Sequence, residues 1–466
     1  MILIVVIISV TLVTLLGIGL VGGLEAALPF ATFACIVIPI QCRISLGGAF
    51  ALTAGRLILI VLMILFVIDP KRGSKPSPVK GAPLVLLMAV WVVWALVSTA
   101  NSIVPTASIK KLVGEVLEYY CLYLVFVKTI SSVQSIYRIL YAMVSAIFFC
   151  CFFGALQAYA HWSVLSLFPI GTGRIGEDLG IAGEQGATSS TFPHRILWGA
   201  AVALGIAIAL HLLKVADSRG KRIYLWVALL MMFMNIYKSM SRGPWLATIL
   251  AFILVLLFER RRMLRYYLII GALTLTVLIA RPGVLETIRN VYGESFDVNW
   301  NNPKGLSVEY RFELRRIAQA ALARSPGRML WGYGMESFVD LNLEGDLAGH
   351  RFPFLSCDSA WIELMVETGY VGLFLIACLL FTPAFLAWRD FRRLPDPDRY
   401  LSLHLFVCMG IYYFMMLGVD SYAWGQEGYM LWIIIATSIV YGKLKEAEQR
   451  KGEAVTAAVP VHAAAG

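Results

Sequence analysis

Apolar runs of roughly 20 residues recur along the whole chain and alternate with short polar segments. Each run approaches the length that an α-helix needs to cross the hydrocarbon core of a bilayer. The pattern therefore predicts an all-α polytopic integral membrane protein with about 12–13 transmembrane helices. The predicted spans are residues 2–21, 25–42, 49–69, 83–102, 112–131, 137–159, 196–213, 223–240, 244–258, 266–284, 360–386, 400–419 and 428–442.

Composition agrees with this pattern and excludes an ordinary soluble domain. The 466 residues are 59% hydrophobic and 15% charged, and the mean hydropathy is +0.77. Such a mixture leaves too few polar groups to cover the surface of a soluble protein. The first apolar run follows Met1 without a basic region or a small-residue cleavage site, so we expect it to remain as an anchor. The eight cysteines show no metal-binding or disulfide spacing and are expected to fill the core.

The short basic loops predict the orientation of the chain. Counting crossings from the fourth span onward puts all of them on one face, which the positive-inside rule makes cytoplasmic. Topology and attraction to anionic lipids then explain the net charge of +10, and no nucleic-acid partner is expected. The basic segments are 69–80, 214–222, 259–265, 388–399 and the tail from Lys443.

The same count divides the chain into parts. Residues 1–82 hold the N-terminal spans and a basic loop, and residues 83–284 form a central bundle with an outward loop at about 161–196. A large outward loop follows at 285–359, before the C-terminal helices at 360–442 and a cytoplasmic tail at 443–466.

The large loop contains one helical pattern, over residues 307–326. Its apolar positions recur at helical spacing, with Pro326 as the stop. This pattern predicts an amphipathic helix that lies against the membrane. The apolar positions are Phe312, Leu314, Ile317, Ala321 and Leu322.

The expected outward face carries six candidate site residues. Guanidinium groups match phosphate oxygens, so the arginines favour an anionic, lipid-linked phosphate ligand. Arginines can also neutralise a diphosphate leaving group, and a His or Asp can take the proton of an acceptor hydroxyl. No carboxylate cluster there suits a divalent metal, so we expect neither metal nor cofactor. The candidates are Arg242, Arg311, Arg195 and His194 for binding, and Asp358 and His350 for catalysis.

Five of the six candidates also have a simpler interpretation. Arg242 can snorkel to lipid headgroups, and Arg311 can lie on the solvated face of its helix. His194 and His350 can be ordinary loop residues. Asp358 can cap the helix that follows it, because a carboxylate there accepts the first free N–H groups.

Three ordered motifs follow one another along the chain: SRGPWLA (241–247), a YR pair followed by SPGRMLWGYGMESF (325–338), and LSCDSAWIELMVETGYVGL (355–373). In this order they resemble the superfamily of O-antigen ligases and Wzy-type O-antigen polymerases. In the family the last motif usually begins His-Asn, followed by nine residues and Gly-x-x-Gly. Here Asp358-Ser359 replaces the leading pair, and the spacing to Gly369 and Gly372 is kept.

The resemblance implies metal-independent glycosyl transfer at the periplasmic face of the bacterial inner membrane. The implied donor is an undecaprenyl-diphosphate-linked glycan and the acceptor a sugar hydroxyl. Arg242 and Arg311 match the family's diphosphate-binding arginines, although Arg315 and Arg316 lie close to the second. Asp358 stands where ligases carry the histidine that activates the acceptor. Asp is a weaker base than His, so His350 or His194 remains an alternative base.

The segment TFPHRILWG (191–199) is similar to the TF-x-HP stretch of exopolysaccharide members, with Arg195 in place of the proline. Together with the missing histidine, it favours a polymerase of O-antigen or exopolysaccharide biosynthesis. A ligase that transfers glycan to lipid A-core or protein is the alternative. The expected partners are the lipid-linked glycan, membrane lipids and a chain-length regulator or export protein.

A transporter or flippase of a lipid-linked substrate is a further alternative, because charged residues interrupt the apolar runs. Two of them, Glu115 and Glu118, are about one helical turn apart and share a face. They are either a hydrogen-bonded pair, with Lys111 as partner of the first, or a polar lining for an acceptor path. The interrupting residues are Arg56, Glu115, Glu118, His404 and Asp420.

Overall fold

The structure is a computed structural model that describes residues 2–46, 50–68, 83–168, 187–280, 282–293, 303–422 and 425–458. The predictions for the basic loop at 69–80, for the middle half of the outward loop at 161–196 and for the end of the tail lie outside these residues.

Helices dominate the described part of the chain. The first half contains α1 (Ile2–Gly22), α2 (Leu24–Val37), α3 (Ala54–Ile68), α4 (Val85–Ala100), α5 (Pro105–Glu115), a π-helical segment (Val116–Tyr120), α6 (Cys121–Thr129) and α7 (Val133–Ala160). The second half contains α8 (Arg195–Val215), α9 (Arg219–Lys238), α10 (Arg242–Ala280), α11 (Pro282–Gly293), α12 (Pro303–Leu322), α13 (Pro326–Trp331), α14 (Ala360–Arg393), α15 (Arg399–Met415) and α16 (Gly425–Ala458).

The prediction of an all-α polytopic membrane protein is confirmed. Among the described residues, six helices are long and apolar enough to cross a membrane, and each coincides with a predicted span. The non-helical backbone of Glu259 divides α10 into two of them, which correspond to spans 244–258 and 266–284. The six are Ile2–Gly22, Val133–Ala160, Arg195–Val215, Arg242–Arg260, Met263–Ala280 and Ala360–Arg393.

Burial distinguishes the centre of the bundle from its periphery. In the most apolar part of α8, 94% of the residues are buried, against 6% in Met263–Ala280. Helix α8 therefore lies at the centre, whereas the leucines of Met263–Ala280 point outward, as expected of side chains that face lipid. All eight cysteines are free and six of them are buried, which agrees with their expected role as core residues.

The two strand pairs that the structure describes are short antiparallel hairpins. One hairpin, β1 (Arg43–Leu46) with β2 (Phe50–Thr53), precedes α3. The other, β3 (Glu344–Leu347) with β4 (His350–Pro353), lies in the large loop. The first hairpin occupies residues that the sequence assigns to the start of a span, so the span begins later than predicted.

The amphipathic helix of the large loop exists as α12, with three corrections. Leu314, Ile317, Ala321 and Leu322 are buried against other residues of the loop and the start of α14, so protein covers this stripe and not the membrane. Phe312 is 74% exposed, because it lies two residues from Leu314 and about 200° around the helix. Helix α12 also ends at Leu322, and Pro326 begins α13 instead of stopping α12.

Candidate functional site

The candidate site lies around the connection between α15 and α16. We call the described residues of this connection, 416–422, the linker. Arg311 of α12 donates from Nη2 to the carbonyl oxygen of Gly418 at 3.1 Å. Its Nη1 donates to the carbonyl and the hydroxyl oxygens of Ser307, both at 2.7 Å. Its Nε–H is buried and has no acceptor among the described residues. The guanidinium is therefore held in a fixed orientation and retains one unused donor.

The start of α14 is attached to the same linker. Ser359 Oγ donates to the carbonyl oxygen of Met416 at 3.2 Å, and the amide of Ala360 donates to that of Val419 at 3.3 Å. Ser359 is the N-cap residue of α14, so the interpretation of Asp358 as the cap is wrong.

Asp358 also lies close to the helix that carries Arg311. Burial raises the pKa of Tyr310 well above its ordinary value, and the negative charge of Asp358 adds to the shift. The hydroxyl of Tyr310 donates to the carbonyl oxygen of Ser356, two residues before Asp358. The structure therefore brings Asp358 and Arg311 to one place, as the sequence predicts.

The turn that carries Arg242 packs against the end of α15, where the linker begins. A Cβ atom on Gly243 would lie 3.3 Å from the Met415 side chain. The charge of Arg242 also reaches Tyr292 of α11, where it lowers a tyrosine pKa that burial raises. Arg242 thus begins α10 beside the linker that Arg311 contacts.

His194 and Arg195 stand at the start of α8, next to this turn. A Cβ atom on Gly199 would lie 2.6 Å from Pro244, which shows how closely α8 approaches the turn. His194 is the N-cap residue of α8, and its Nδ1 accepts from the amide of Ile196 at 3.2 Å. This contact gives His194 a structural role, and its role as a base stays a prediction.

His350 is not brought to the linker. It begins β4 in an exposed hairpin, which α12 holds through Glu309 and Glu313, the acceptors of the Ala348 and Asp346 amides at 3.2 and 3.0 Å. Both glutamates are two residues from Arg311, so they point to the opposite side of α12. The geometry therefore argues against His350 as the base.

A buried ion cluster next to the linker was missed at the sequence level. Lys111 Nζ lies 2.6 Å from Glu363 Oε1, 3.1 Å from Glu367 Oε2 and 3.5 Å from Glu336 Oε2. Lys111 is thus bonded to α14 and not to Glu115, which corrects one sequence-based alternative. Glu363 and Glu367 are four residues apart, so the sequence indicates that they share a face, but nothing local names their partner.

Comparison with known proteins agrees with this arrangement. Residues 227–377 match a family model described as O-antigen ligase, and no curated protein matches the chain. Over residues 227–377 the chain is therefore similar to O-antigen ligases. This O-antigen ligase region contains Arg242, Arg311 and Asp358. The family match supports the interpretation of the protein as a glycosyltransferase-like enzyme of the O-antigen ligase or polymerase type. Such an enzyme is embedded in a membrane and acts on lipid-linked glycan.

A cavity of about 410 Å³ opens beside the O-antigen ligase region. Glu115 and Glu118 both line it, as expected of a polar lining. Within the described ranges, no cluster of three or more His, Cys, Asp or Glu side chains is arranged to hold a metal ion. The lining residues are Ala51, Arg56, Ala107, Lys110, Lys111, Gly114, Glu115, Glu118, Tyr119, Glu336 and Tyr422.

Proposed function

We propose that the protein polymerises glycan during O-antigen or exopolysaccharide biosynthesis, at the periplasmic face of the bacterial inner membrane. The donor is an undecaprenyl-diphosphate-linked glycan, and the acceptor is a sugar hydroxyl of the next lipid-linked unit. The observation that carries this proposal is the buried Nε–H of Arg311, which lacks an acceptor among the described residues. A buried donor without a partner is costly, and a phosphate oxygen is a suitable acceptor for it.

The reaction assigns a role to each gathered residue. Asp358 takes the proton of the acceptor hydroxyl as its oxygen bonds to the anomeric carbon of the donor sugar. The bond between that carbon and the diphosphate oxygen breaks, and the lipid diphosphate leaves. Arg242 and Arg311 stabilise the negative charge that develops on the diphosphate, which makes the transfer metal-independent.

Asp358 is a weaker base than a histidine and therefore needs a poorly hydrated environment to work near neutral pH. Its neighbour Tyr310 is partly buried, and the chain on either side of Asp358 is bonded to protein at Ser356 and Ser359. These contacts support an acceptor side of the site from which water is partly excluded.

A ligase is the second candidate, because the matching family model is described as O-antigen ligase. Both activities use the same donor chemistry and differ in the acceptor. Asp358 in the position of the ligase histidine favours the polymerase.

A deletion strain separates the two activities. Loss of a polymerase leaves single repeat units on the cell surface, whereas loss of a ligase leaves carrier-linked polymer in the inner membrane. Surface glycan analysed by gel electrophoresis, together with lipid-linked glycan extracted from the inner membrane, distinguishes these outcomes. Unchanged glycan in both fractions contradicts either function.

A further inference from the structure

We propose that the cavity beside the linker binds the saccharide of the acceptor, separately from the arginines that hold the diphosphate. This inference rests on the proposed function and deepens it. The volume of about 410 Å³ lies within the range of roughly 300–1,000 Å³ that small-molecule sites occupy. It is large enough for a short saccharide.

The charges of the lining favour an uncharged, hydroxyl-rich ligand. Three cationic and three acidic side chains face the cavity, so their formal charges cancel. A diphosphate site needs an excess of positive charge, as at Arg242 and Arg311. Alternating donors and acceptors suit sugar hydroxyls, each of which can both donate and accept. The six side chains are Arg56, Lys110, Lys111, Glu115, Glu118 and Glu336.

Glu115 is prepared to accept from such a ligand. Its Oε1 accepts from Trp91 Nε1 at 2.9 Å, from the hydroxyl of Tyr120 at 2.6 Å and from that of Tyr422. Among the described residues, every hydrogen bond to this carboxylate reaches Oε1, so Oε2 is the oxygen available to a ligand. The residue is only 5% exposed, yet it lines the cavity. A carboxylate fixed by three donors loses little entropy when it binds.

The neighbouring wall is equally well fixed. Glu118 accepts from Arg56 Nε and from the hydroxyl of Tyr429, and Arg56 Nη1 donates to the carbonyl oxygen of Ala51 at 2.6 Å. Glu118 lies in the π-helical segment that follows Glu115, and such segments are frequent at functional sites. Tyr119 and Tyr422 add aromatic surface against which the apolar face of a sugar ring can pack.

The position of the cavity favours the acceptor over the donor. Tyr422 lies four residues from Gly418, the contact of Arg311, and an extended chain of that length spans at most about 14 Å. Lys111 of the cavity wall is bonded to Glu363, in the helix that begins directly after Asp358. The cavity therefore lies close to the linker and to the first turns of α14, the helix that follows the residue proposed to receive the acceptor proton.

The test uses the full-length protein in lipid nanodiscs. The saccharide probe is fluorescently labelled, lipid-free oligosaccharide released by mild acid from the host's own surface polysaccharide. The donor-side probe is undecaprenyl diphosphate. Glu115→Gln removes the negative charge and replaces one carboxylate oxygen with an amide nitrogen, while the side-chain shape is kept. We expect it to weaken oligosaccharide binding by about tenfold or more, the effect of losing a charge-assisted hydrogen bond, with unchanged binding of undecaprenyl diphosphate.

A second variant leaves every hydrogen bond of the wall in place. Ala107→Phe fills the cavity from α5, and Thr106→Phe introduces the same ring at an adjacent, exposed position that does not line the cavity. Ala107→Phe should abolish oligosaccharide binding, whereas Thr106→Phe should retain it.

The outcomes distinguish the subsite from the proposed function. Oligosaccharide binding that survives both Glu115→Gln and Ala107→Phe overturns the subsite, and so does an equal loss of both probes. If Arg242→Ala leaves undecaprenyl diphosphate binding unchanged while Ala107→Phe still blocks the oligosaccharide, the diphosphate role fails and the saccharide subsite stands.

Discussion

The two ends of the helical bundle use buried charge in different ways. At the end away from the linker, Glu259 accepts from Lys214 through Oε1 and bonds to His404 Nε2 through Oε2 at 3.2 Å. The other ring nitrogen of His404 lies 2.8 Å from the carbonyl oxygen of Ala207. These three side chains join α8, α10 and α15, and they use one another as partners.

At the linker end, charged groups retain hydrogen-bonding capacity that the described residues do not use. The Nε–H of Arg311 has no acceptor among the described residues. Glu115 lines a cavity, and its hydrogen bonds within the same part of the chain all reach Oε1. Glu115 and Glu259 are 5% and 2% exposed, so burial does not distinguish a structural carboxylate from a binding carboxylate. The comparison shows that unused hydrogen-bonding capacity next to open space makes that distinction.

The largest expected effect is a loss of stability at the end away from the linker. Glu259→Ala leaves Lys214 and His404 without their common partner, and removing one member of a buried ion pair costs about 3–5 kcal/mol. Unfolding in detergent, followed by tryptophan fluorescence, measures the loss. Asp217→Ala, which breaks an exposed pair with Lys221, is the control and should change little. Equal stability of the two variants would show that the Glu259 cluster is not structural.

At the linker end, removal of an arginine should cost activity more than stability. Arg242→Ala and Arg311→Ala should each lower glycan transfer by about 10²–10³-fold, the usual effect of removing one donor to a developing negative charge. Complementation of the deletion strain, with the protein level in the membrane measured in parallel, tests this. Arg265→Ala is the control, since that exposed side chain lies on the same helix and donates to its neighbour Tyr266. Full complementation by Arg242→Ala would contradict the diphosphate role.

Loss of the Asp358 carboxylate should also lower activity, by somewhat less than loss of an arginine. Asp358→Asn should lower transfer by about 10²-fold if the carboxylate is the base, because a positioned base contributes at least that much. The helix itself should be unaffected, since Ser359 supplies the cap. Asp358→His should keep substantial activity, because it restores the base of the related ligases. Wild-type rates in Asp358→Asn would exclude a proton-transfer role.

Local pattern was sufficient to predict the helices and most of the linker end. Hydropathy marks each span, and the SRGPW turn and the Asp358-Ser359 stretch identify their residues from short motifs. What sequence could not supply was long-range pairing: Lys111 and Glu363 are 252 residues apart and meet only in the folded bundle, where α4 packs on α14. The cavity depends on the same long-range packing, so the sequence could offer a polar lining only as one of two alternatives for Glu115 and Glu118.

Two smaller errors concern which of several neighbouring residues has a given role. Asp358 and Ser359 are both good N-cap residues, and only the backbone shows that the second one caps α14. Phe312 is apolar but lies off the buried stripe of α12. In both places a shift of one or two residues changed the assignment, although the element itself was correctly predicted.

The smallest expected effect concerns His350, which is close to Asp358 in the sequence but not in the structure. His350 is only eight residues before Asp358, yet its hairpin lies across α12 from Arg311. His350→Ala should therefore change transfer by no more than about twofold, as expected for an exposed substitution away from the site. The measurement is transfer from extracted lipid-linked glycan at several pH values. A large loss of rate, or a shifted pH profile, would make His350 the base and would require the hairpin to move toward the linker during turnover.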